Sequence, residues 1–239
     1  MAHVPRLYIP GRLGPGPLTL DADAAHRLSS VMRLRPGDPF LVFAGDGREW
    51  GATVSAVGRN QIEAVVGPVT RTGSPLPLVV ECWCAAVRPA RFDWAIEKST
   101  EAGVDVVRPL YSEHSVRGEA PSATRQARWE RIAVEAAEQS GRLSVPVIAP
   151  GGELEQLIAH ASGSVLILDR GGRPWTACID LLPEQGGVTV AVGPEGGFSE
   201  AELSASVARG ALAASLGPNI LRTETAAVAA VLLLRSLGR

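Results

Sequence analysis

Two glycine-bearing loops near the C-terminal end hold the residues best suited to ligand chemistry: Gly193-Pro194-Glu195-Gly196-Gly197-Phe198-Ser199, and Leu216-Gly217-Pro218-Asn219-Ile220-Leu221-Arg222-Thr223-Glu224-Thr225-Ala226. In the first, glycines remove side chains and permit positive φ, so a ligand can come close to the backbone. Turning alone requires neither Glu195 nor Phe198. Ser199 and Glu202 have the spacing of a capping box, which fixes a helix start and orients its amides. The second loop carries Ile220 and Leu221 where a solvated loop has no need of apolar side chains, which suits the lining of an adenine-like base, with Arg222 beside them. Thr223 suits a helix cap and Glu224 the positive end of the helix dipole. No Gly-Lys-Ser/Thr follows either glycine cluster, which excludes a phosphate-cradling NTPase loop, and the first loop fails the G-x-G-x-x-G spacing of a dinucleotide site. Together the loops read as one adenosyl-type pocket.

The flanking segments must position them. Val188–Val192 is continuously small and apolar, as in a buried central strand, and Ala213–Leu216 precedes the second loop. Helices are expected at Ser199–Arg209 and Ala226–Leu237. The last is apolar nearly all round and needs burial, either centrally or against another subunit. Upstream, strands at Leu78–Val87, Val104–Leu110, Val145–Ile148 and Val165–Leu168 alternate with helices at Phe92–Ala102, Ala123–Ser140 and Leu154–Ala161. The fourth strand ends at Asp169-Arg170-Gly171-Gly172. This alternation predicts a largely parallel sheet with helices on both faces.

Residues 1–72 read differently. Phe40–Phe43, Trp50–Val57 and Gln61–Val66 are short strands separated by Gly/Asp/Asn turns, a small-barrel pattern, with one helix over Asp21–Met32 capped by Asp21. Thr70–Pro77, rich in breakers, is the linker candidate. Two domains are therefore expected, 1–72 and 73–239.

Composition narrows the partners. The 239 residues are 46% hydrophobic and 20% charged, ordinary for a globular protein. The longest apolar run, Ala226–Leu234, is far short of the roughly 20 residues that span a bilayer. Met1–Arg6 lacks the apolar core of a signal peptide, so a cytoplasmic location is the default expectation. Cys82 and Cys84 share one strand face, no metal-ligand spacing occurs, and no metal is expected. Net charge is −2, but residues 1–72 carry eight arginines against six acids, leaving −4 for the remainder. Lys98 is the sole lysine; arginine's fork suits phosphate, so the first module is the place to look for RNA contacts.

The motifs Gly193–Ser199 and Leu216–Ala226 resemble those of SPOUT-class RNA methyltransferases, and more narrowly the RsmE family of 16S ribosomal RNA uracil-N3 methyltransferases. Trp94–Val104 is similar to that family's helix ending in K-x-T-E-L-G-V, with Ala102 in place of leucine. Glu135–Arg142 resembles its E-Q-S-x-R segment, and His26-Arg27-Leu28 with Val31-Met32-Arg33 its N-terminal module. The resemblance implies a mixed α/β fold: a small PUA-like β-barrel, then a SPOUT α/β domain with a deep trefoil knot. It implies S-adenosylmethionine held by Leu168, Gly193, Pro194, Glu195, Gly196, Leu216, Gly217, Ile220, Leu221, Arg222 and Thr225. It also implies a homodimer acting on 16S ribosomal RNA or the assembled small subunit. Asn219 departs from the family, whose members often carry a basic residue there.

Methylation at uracil N3 requires loss of a proton, hence a base, or a cation that stabilises charge on the flanking carbonyls. Arg222, Arg142 and Arg91 are candidate cations; Glu138 and Glu195 are candidate bases, with Arg222, Glu138 and Arg142 the assigned catalytic set. Glu138 and Arg142 could equally form an ordinary i,i+4 helix pair. RNA is expected along Arg6, Arg33 and Arg35 and around Arg88 and Arg91. Arg125, Arg128 and Arg131 on one helix suit phosphate tracking or a solvated face. The rival readings are a SPOUT methyltransferase acting on another RNA nucleotide, a non-catalytic RNA-binding protein, and a nucleotide-dependent enzyme unrelated to RNA.

Overall fold

Strand alternation and glycine placement are resolved in a computed structural model that describes residues 4–74, 76–115 and 121–238; Pro75, in the expected linker, lies outside them. The chain divides into two compact units, Met1–Pro75 with Ala137–Val145, and Leu76–Ala136 with Pro146–Arg239.

The first unit holds β1 (Arg6–Tyr8), β2 (Gly16–Leu20), β3 (Pro39–Phe43), β4 (Arg48–Val57) and β5 (Ile62–Thr72) in one sheet ordered β1-β3-β4-β5-β2. β1 lies parallel to β3 and the other pairs are antiparallel. Register shifts along β4 against β5 bend that ribbon. Leu7 and Leu20, from the two edge strands, join Phe40, Val54 and Ile62 in a single core, as a curled, barrel-like sheet requires. The inward residues Trp50, Ala52 and Val54 follow the period of two. Asp21 does cap α1 (Ala22–His26), its Oδ1 accepting from the Ala24 amide at 2.9 Å. The helix does not run unbroken to Met32: it widens into a π-helical turn over Arg27–Val31. β5 runs on to Thr72, further than the expected Val66, so less of Thr70–Pro77 is linker than its composition suggests.

The second unit is a parallel sheet of β6 (Leu78–Ala85), β7 (Val106–Tyr111), β8 (Val147–Ile148), β9 (Gly152–Glu153), β10 (Ser164–Pro174), β11 (Gly186–Val192) and β12 (Leu212–Ser215). Its order is β12-β10-β11-β6-β7-β8, with β9 also on β7, and every pair is parallel. The helices are α2 (Pro89–Ala102), α3 (Ala123–Gln139, whose last turn belongs to the first unit), α4 (Leu154–Ala159), α5 (Trp175–Ile179), α6 (Glu200–Ala208) and α7 (Thr223–Arg235). Trp83, Ile167 and Ala191 point into a core shared with Leu154, Ile158 and Phe198. Cys82 and Cys84, one residue out of phase with Trp83, face the other way and are fully buried. α7 packs on α2, β6 and β11.

One expectation needs correction: α7 starts at Thr223, three residues before the predicted Ala226, because Thr223 and Glu224 already fit its buried side. Within the chain α7 is buried on one side and leaves Leu232 and Leu233 52% and 38% exposed, the arrangement that the second alternative, burial against another subunit, requires. α5 and β9, too short for a periodic signal, had no counterpart in the sequence.

Candidate functional site

Parallel strands end on one edge of a sheet, and open α/β sheets bind ligands there. β10, β11 and β12 end around a cleft of ≈ 320 Å³ in the second unit. Its walls come from three places: Leu168, Asp169 and Arg170; Val192 to Gly197; and Ala214 to Ala226 in part. The first wall is a bulge. β10 pairs with Ala214 through both Leu168 and Arg173, so the intervening residues leave the ladder and Asp169 and Arg170 swing into the cleft. A Cβ on Gly172 would lie 2.7 Å from the Ala214 amide nitrogen, so the close return of the bulge demands glycine.

The second wall is fastened from several sides. Gly197 donates to the Pro194 carbonyl at 2.9 Å, closing a tight turn in which Gly197 has φ +71°. Thr223 Oγ1 donates to the Gly193 carbonyl at 2.8 Å, tying the start of α7 to this loop. The Arg91 guanidinium, from α2, pairs with Glu195. His114 Nδ1 lies 3.2 Å from the Gly197 carbonyl, close enough to donate, and the Glu113 amide donates to Glu202 at 2.8 Å. The Ser199–Glu202 capping box forms as its spacing predicts. Arg91 also lies 3.9 Å from Glu224, whose second carboxylate oxygen is buried with no hydrogen-bond partner among the described residues.

Charge and polarity suit a cation with an apolar body. Among the described lining residues, Asp169 and Glu195 stand against Arg170, a net charge of −1, with Glu195 also paired to Arg91. Leu168, Val192, Leu216 and Ala226 supply apolar surface, while Ile220 and Leu221 remain 80% and 38% exposed at the lining.

Of the residues assigned to the cofactor, Leu168, Gly193, Pro194, Glu195, Gly196, Leu216, Gly217, Ile220 and Leu221 line the cleft. Arg222 and Thr225 do not: Arg222 is the helix N-cap, makes no capping bond with its side chain and is exposed, and Thr225 is exposed on the first turn. Thr223 lines the cleft instead, its hydroxyl bound to Gly193 rather than capping α7. Glu138 is 2% exposed within the first unit; its carboxylate pairs with Arg27 and accepts from the Tyr8 amide at 2.9 Å. Arg142 belongs to the same unit and reaches Ser144 at 3.3 Å. Neither Glu138 nor Arg142 lines the cleft.

The arginines expected to meet RNA separate likewise. Arg6 is 9% exposed; it bonds Glu49 at 2.7 Å and the carbonyls of Ala137, Glu138 and Arg142, so it braces the first unit from inside. Arg33, Arg35 and Arg88 are exposed, and Arg91 is half-buried on Glu195. The sequence signal for Arg6's interior place was its position in a strand opening on Leu7; the roles of Thr223 and Glu224 had no signal separable from helix capping.

Residues 74–235 match the family model of the RNA methyltransferase domain, and residues 20–67 that of the RNA methyltransferase PUA domain. A Synechocystis protein named ribosomal RNA small subunit methyltransferase E is 31% identical over 227 residues, covering 92% of this chain and 73% of its own. The chain belongs to the ribosomal RNA small subunit methyltransferase E family. The Bacillus subtilis methyltransferase E is 28% identical over 218 residues, 87% of this chain and 85% of that protein. Among solved structures, the Neisseria gonorrhoeae methyltransferase E bound to S-adenosyl methionine superposes with a TM-score of 0.87 at 31% identity, covering 98% of each chain. A Legionella pneumophila methyltransferase in complex with its cofactor SAM gives 0.91 at 30% identity, covering 99% of this chain and 98% of that one. Membership in the methyltransferase E family thus joins a mixed α/β chain, a PUA-like first sheet and a cleft at the strand ends.

Proposed function

We propose that the chain binds S-adenosylmethionine in the cleft at the ends of β10, β11 and β12 and methylates N3 of one uridine in 16S ribosomal RNA. The observation that carries this reading is the lining itself: a net negative charge beside apolar side chains, Ile220 and Leu221, that an adenine ring would cover. A sulfonium and an ammonium suit Asp169 and Glu195, and the exposed apolar wall suits the base, so the residues present fit the group. When bound, S-adenosylmethionine supplies an electrophilic methyl group for in-line displacement.

The chain's own residues supply the rest. The glycine loop, held by Thr223 and Arg91, orients the donor and keeps it fixed, which contributes much of the rate for a displacement that needs alignment. Arg222, exposed at the N-cap of α7 beside the cleft-lining Leu221 and Thr223, is the cation we assign to the uracil carbonyl oxygens, where it lowers the cost of N3 deprotonation. Residues 1–72 serve as the RNA-binding domain, through Arg33 and Arg35, and 73–239 as the catalytic domain with the trefoil knot of its class. A homodimer is the natural use of the exposed Leu232, Leu233 and Trp94 on α7 and α2. No helix among the described residues is long and apolar enough to cross a membrane, and we place the protein in the cytoplasm with its ribosomal substrate.

The test pairs calorimetry with mass spectrometry. S-adenosylhomocysteine should bind in the micromolar range, and 16S RNA incubated with enzyme and donor should gain one 3-methyluridine that Arg222→Ala fails to produce. Absence of donor-product binding, or a methyl group on another atom, would overturn the reading.

A further inference from the structure

We infer that a groove between the N-terminal halves of α2 and α3 is a phosphate-binding track for the RNA strand that flanks the methylated nucleotide. The groove has a volume of ≈ 840 Å³, and among the described residues that line it Arg125, Arg128 and Arg131 stand against one carboxylate, Asp93, a net of +2. That carboxylate is already committed. Its Oδ2 accepts from Arg128 Nε and Nη2 at 3.0 and 2.8 Å, and its Oδ1 accepts from the Trp129 indole at 3.1 Å. Arg128 is thereby held in place while its side chain stays 57% exposed. Arg131 makes a loose 3.9 Å contact with Glu135 and is 67% exposed, and Arg125 is exposed. Arg125 and Arg131 are the exposed guanidinium groups here, and such planar forks match phosphate oxygens, while the Arg128 fork is held by Asp93 and adds its charge.

Placement favours RNA over a free anion. β6, β7, β10, β11 and β12 are parallel, so their C-terminal ends share the edge that carries the cleft. Pro89, which opens α2 after β6, lines the groove. The Arg125 charge reaches Tyr111, the last residue of β7, where it offsets part of the rise that burial gives the phenol's pKa. Groove and cleft therefore lie along one edge, separated by the β11-to-β6 and β6-to-β7 spacings, together about 10 Å. Arg91, one turn into α2, spans part of that interval by pairing with Glu195 of the cleft loop. The groove's aromatic residue Trp129 is 5% exposed and packs on Phe92 at 4.7 Å, so no ring is presented for base stacking. Such a surface positions a backbone and leaves sequence to be read elsewhere.

The inference rests on RNA being the substrate, and the experiment separates the two. Binding of a 16S RNA fragment to the full chain is measured across salt concentrations for the wild type, for the double variant Arg125→Gln/Arg131→Gln, and for Arg209→Gln. Arg209 caps the far end of α6, which runs from the β11 end back toward the opposite edge, and pairs there with Glu155. Two lost phosphate contacts should reduce the salt slope by about 1.4 and weaken binding about tenfold at roughly 0.15 M salt. S-adenosylhomocysteine affinity should be unchanged in the double variant, and Arg209→Gln should match the wild type. A double variant with wild-type slope and affinity, or an equal loss in Arg209→Gln, overturns the groove alone. A wild type that binds no RNA overturns the substrate reading and the groove with it.

Discussion

Arg91 should be worth more to the second unit than an exposed ion pair, because the carboxylate it faces is buried. Glu224 has a side chain only 10% exposed, one oxygen 3.9 Å from Arg91 and the other without a hydrogen-bond partner among the described residues. At that distance and an effective dielectric of about 20 the attraction is roughly 4 kcal/mol. Arg91 is 31% exposed, so solvent screening reduces this to about 2 kcal/mol. Arg91→Met should therefore lower unfolding free energy by about 2 kcal/mol, since it strands a buried charge. Glu224→Gln keeps the shape; it forfeits the attractions to Arg91 and to the α7 N-terminus but also removes the cost of burying a charge, so its net loss should be smaller, about 1 kcal/mol. The double variant should be less destabilised than the sum of the singles by about 1–2 kcal/mol. Urea unfolding followed by tryptophan fluorescence measures all three. The singles also differ at the cleft: Arg91→Met frees Glu195 and should weaken S-adenosylhomocysteine binding, whereas Glu224→Gln leaves that contact intact. Strict additivity, or an Arg91→Met protein as stable as the wild type, would refute the buried-pair reasoning.

Thr223→Val removes the 2.8 Å bond to the Gly193 carbonyl at nearly constant volume and should cost about 1 kcal/mol of stability, with several-fold weaker donor binding by calorimetry. If affinity is unaltered, this hydroxyl does not hold the loop. The buried thiols set an alkaline limit: burial first, then the charge of Glu81, pushes Cys82 up to about 12, and burial likewise raises Cys84. A thiol raised on folding favours the folded state only while protonated. Its contribution is full below the unfolded value near 9.0 and is lost as pH rises toward 12, by about 2 kcal/mol from Cys82 alone at about pH 10.5. Urea titrations at about pH 8 and about pH 10.5 check this, and equal stabilities at both would contradict it.

The sheet of the second unit was legible because burial leaves continuous apolar runs. Val188–Val192 reads as a central strand and is one, its neighbours β10 and β6 on either side. The glycine loops and the Ser199–Glu202 box were legible because backbone geometry demands particular residue types there. What escaped the sequence depends on pairing across long separations. The bulge that aims Asp169 and Arg170 into the cleft arises from β10 meeting β12 twice at Ala214, and no local pattern encodes that register. Glu138 illustrates the opposite error. A carboxylate four residues from an arginine suggests a helix pair or a catalytic base, yet its partners are Arg27 and the Tyr8 amide, more than a hundred residues earlier in the chain.

The cleft's two loops are built on different principles, and the difference bears on how a ligand is held. Gly193–Gly197 has almost no side chains with which to fix itself, so its shape is imposed from outside by Thr223, Arg91 and His114, one group from α7, one from α2 and one from the segment after β7. A loop fixed by three separate elements keeps its carbonyls and amides in place before a ligand arrives, and little ordering entropy is lost on binding. Residues 217–222 reverse the arrangement. Gly217 is tied locally to Ser215, while Ile220 and Leu221 present apolar area to water. Covering them fully gains roughly 1–2.5 kcal/mol at Ile220, which is 80% exposed, and about 1 kcal/mol or less at Leu221, which is 38% exposed. Orientation thus comes from the fastened wall and affinity from the exposed one. Thr223 belongs to both, since it binds Gly193 at the point where the second loop becomes helix.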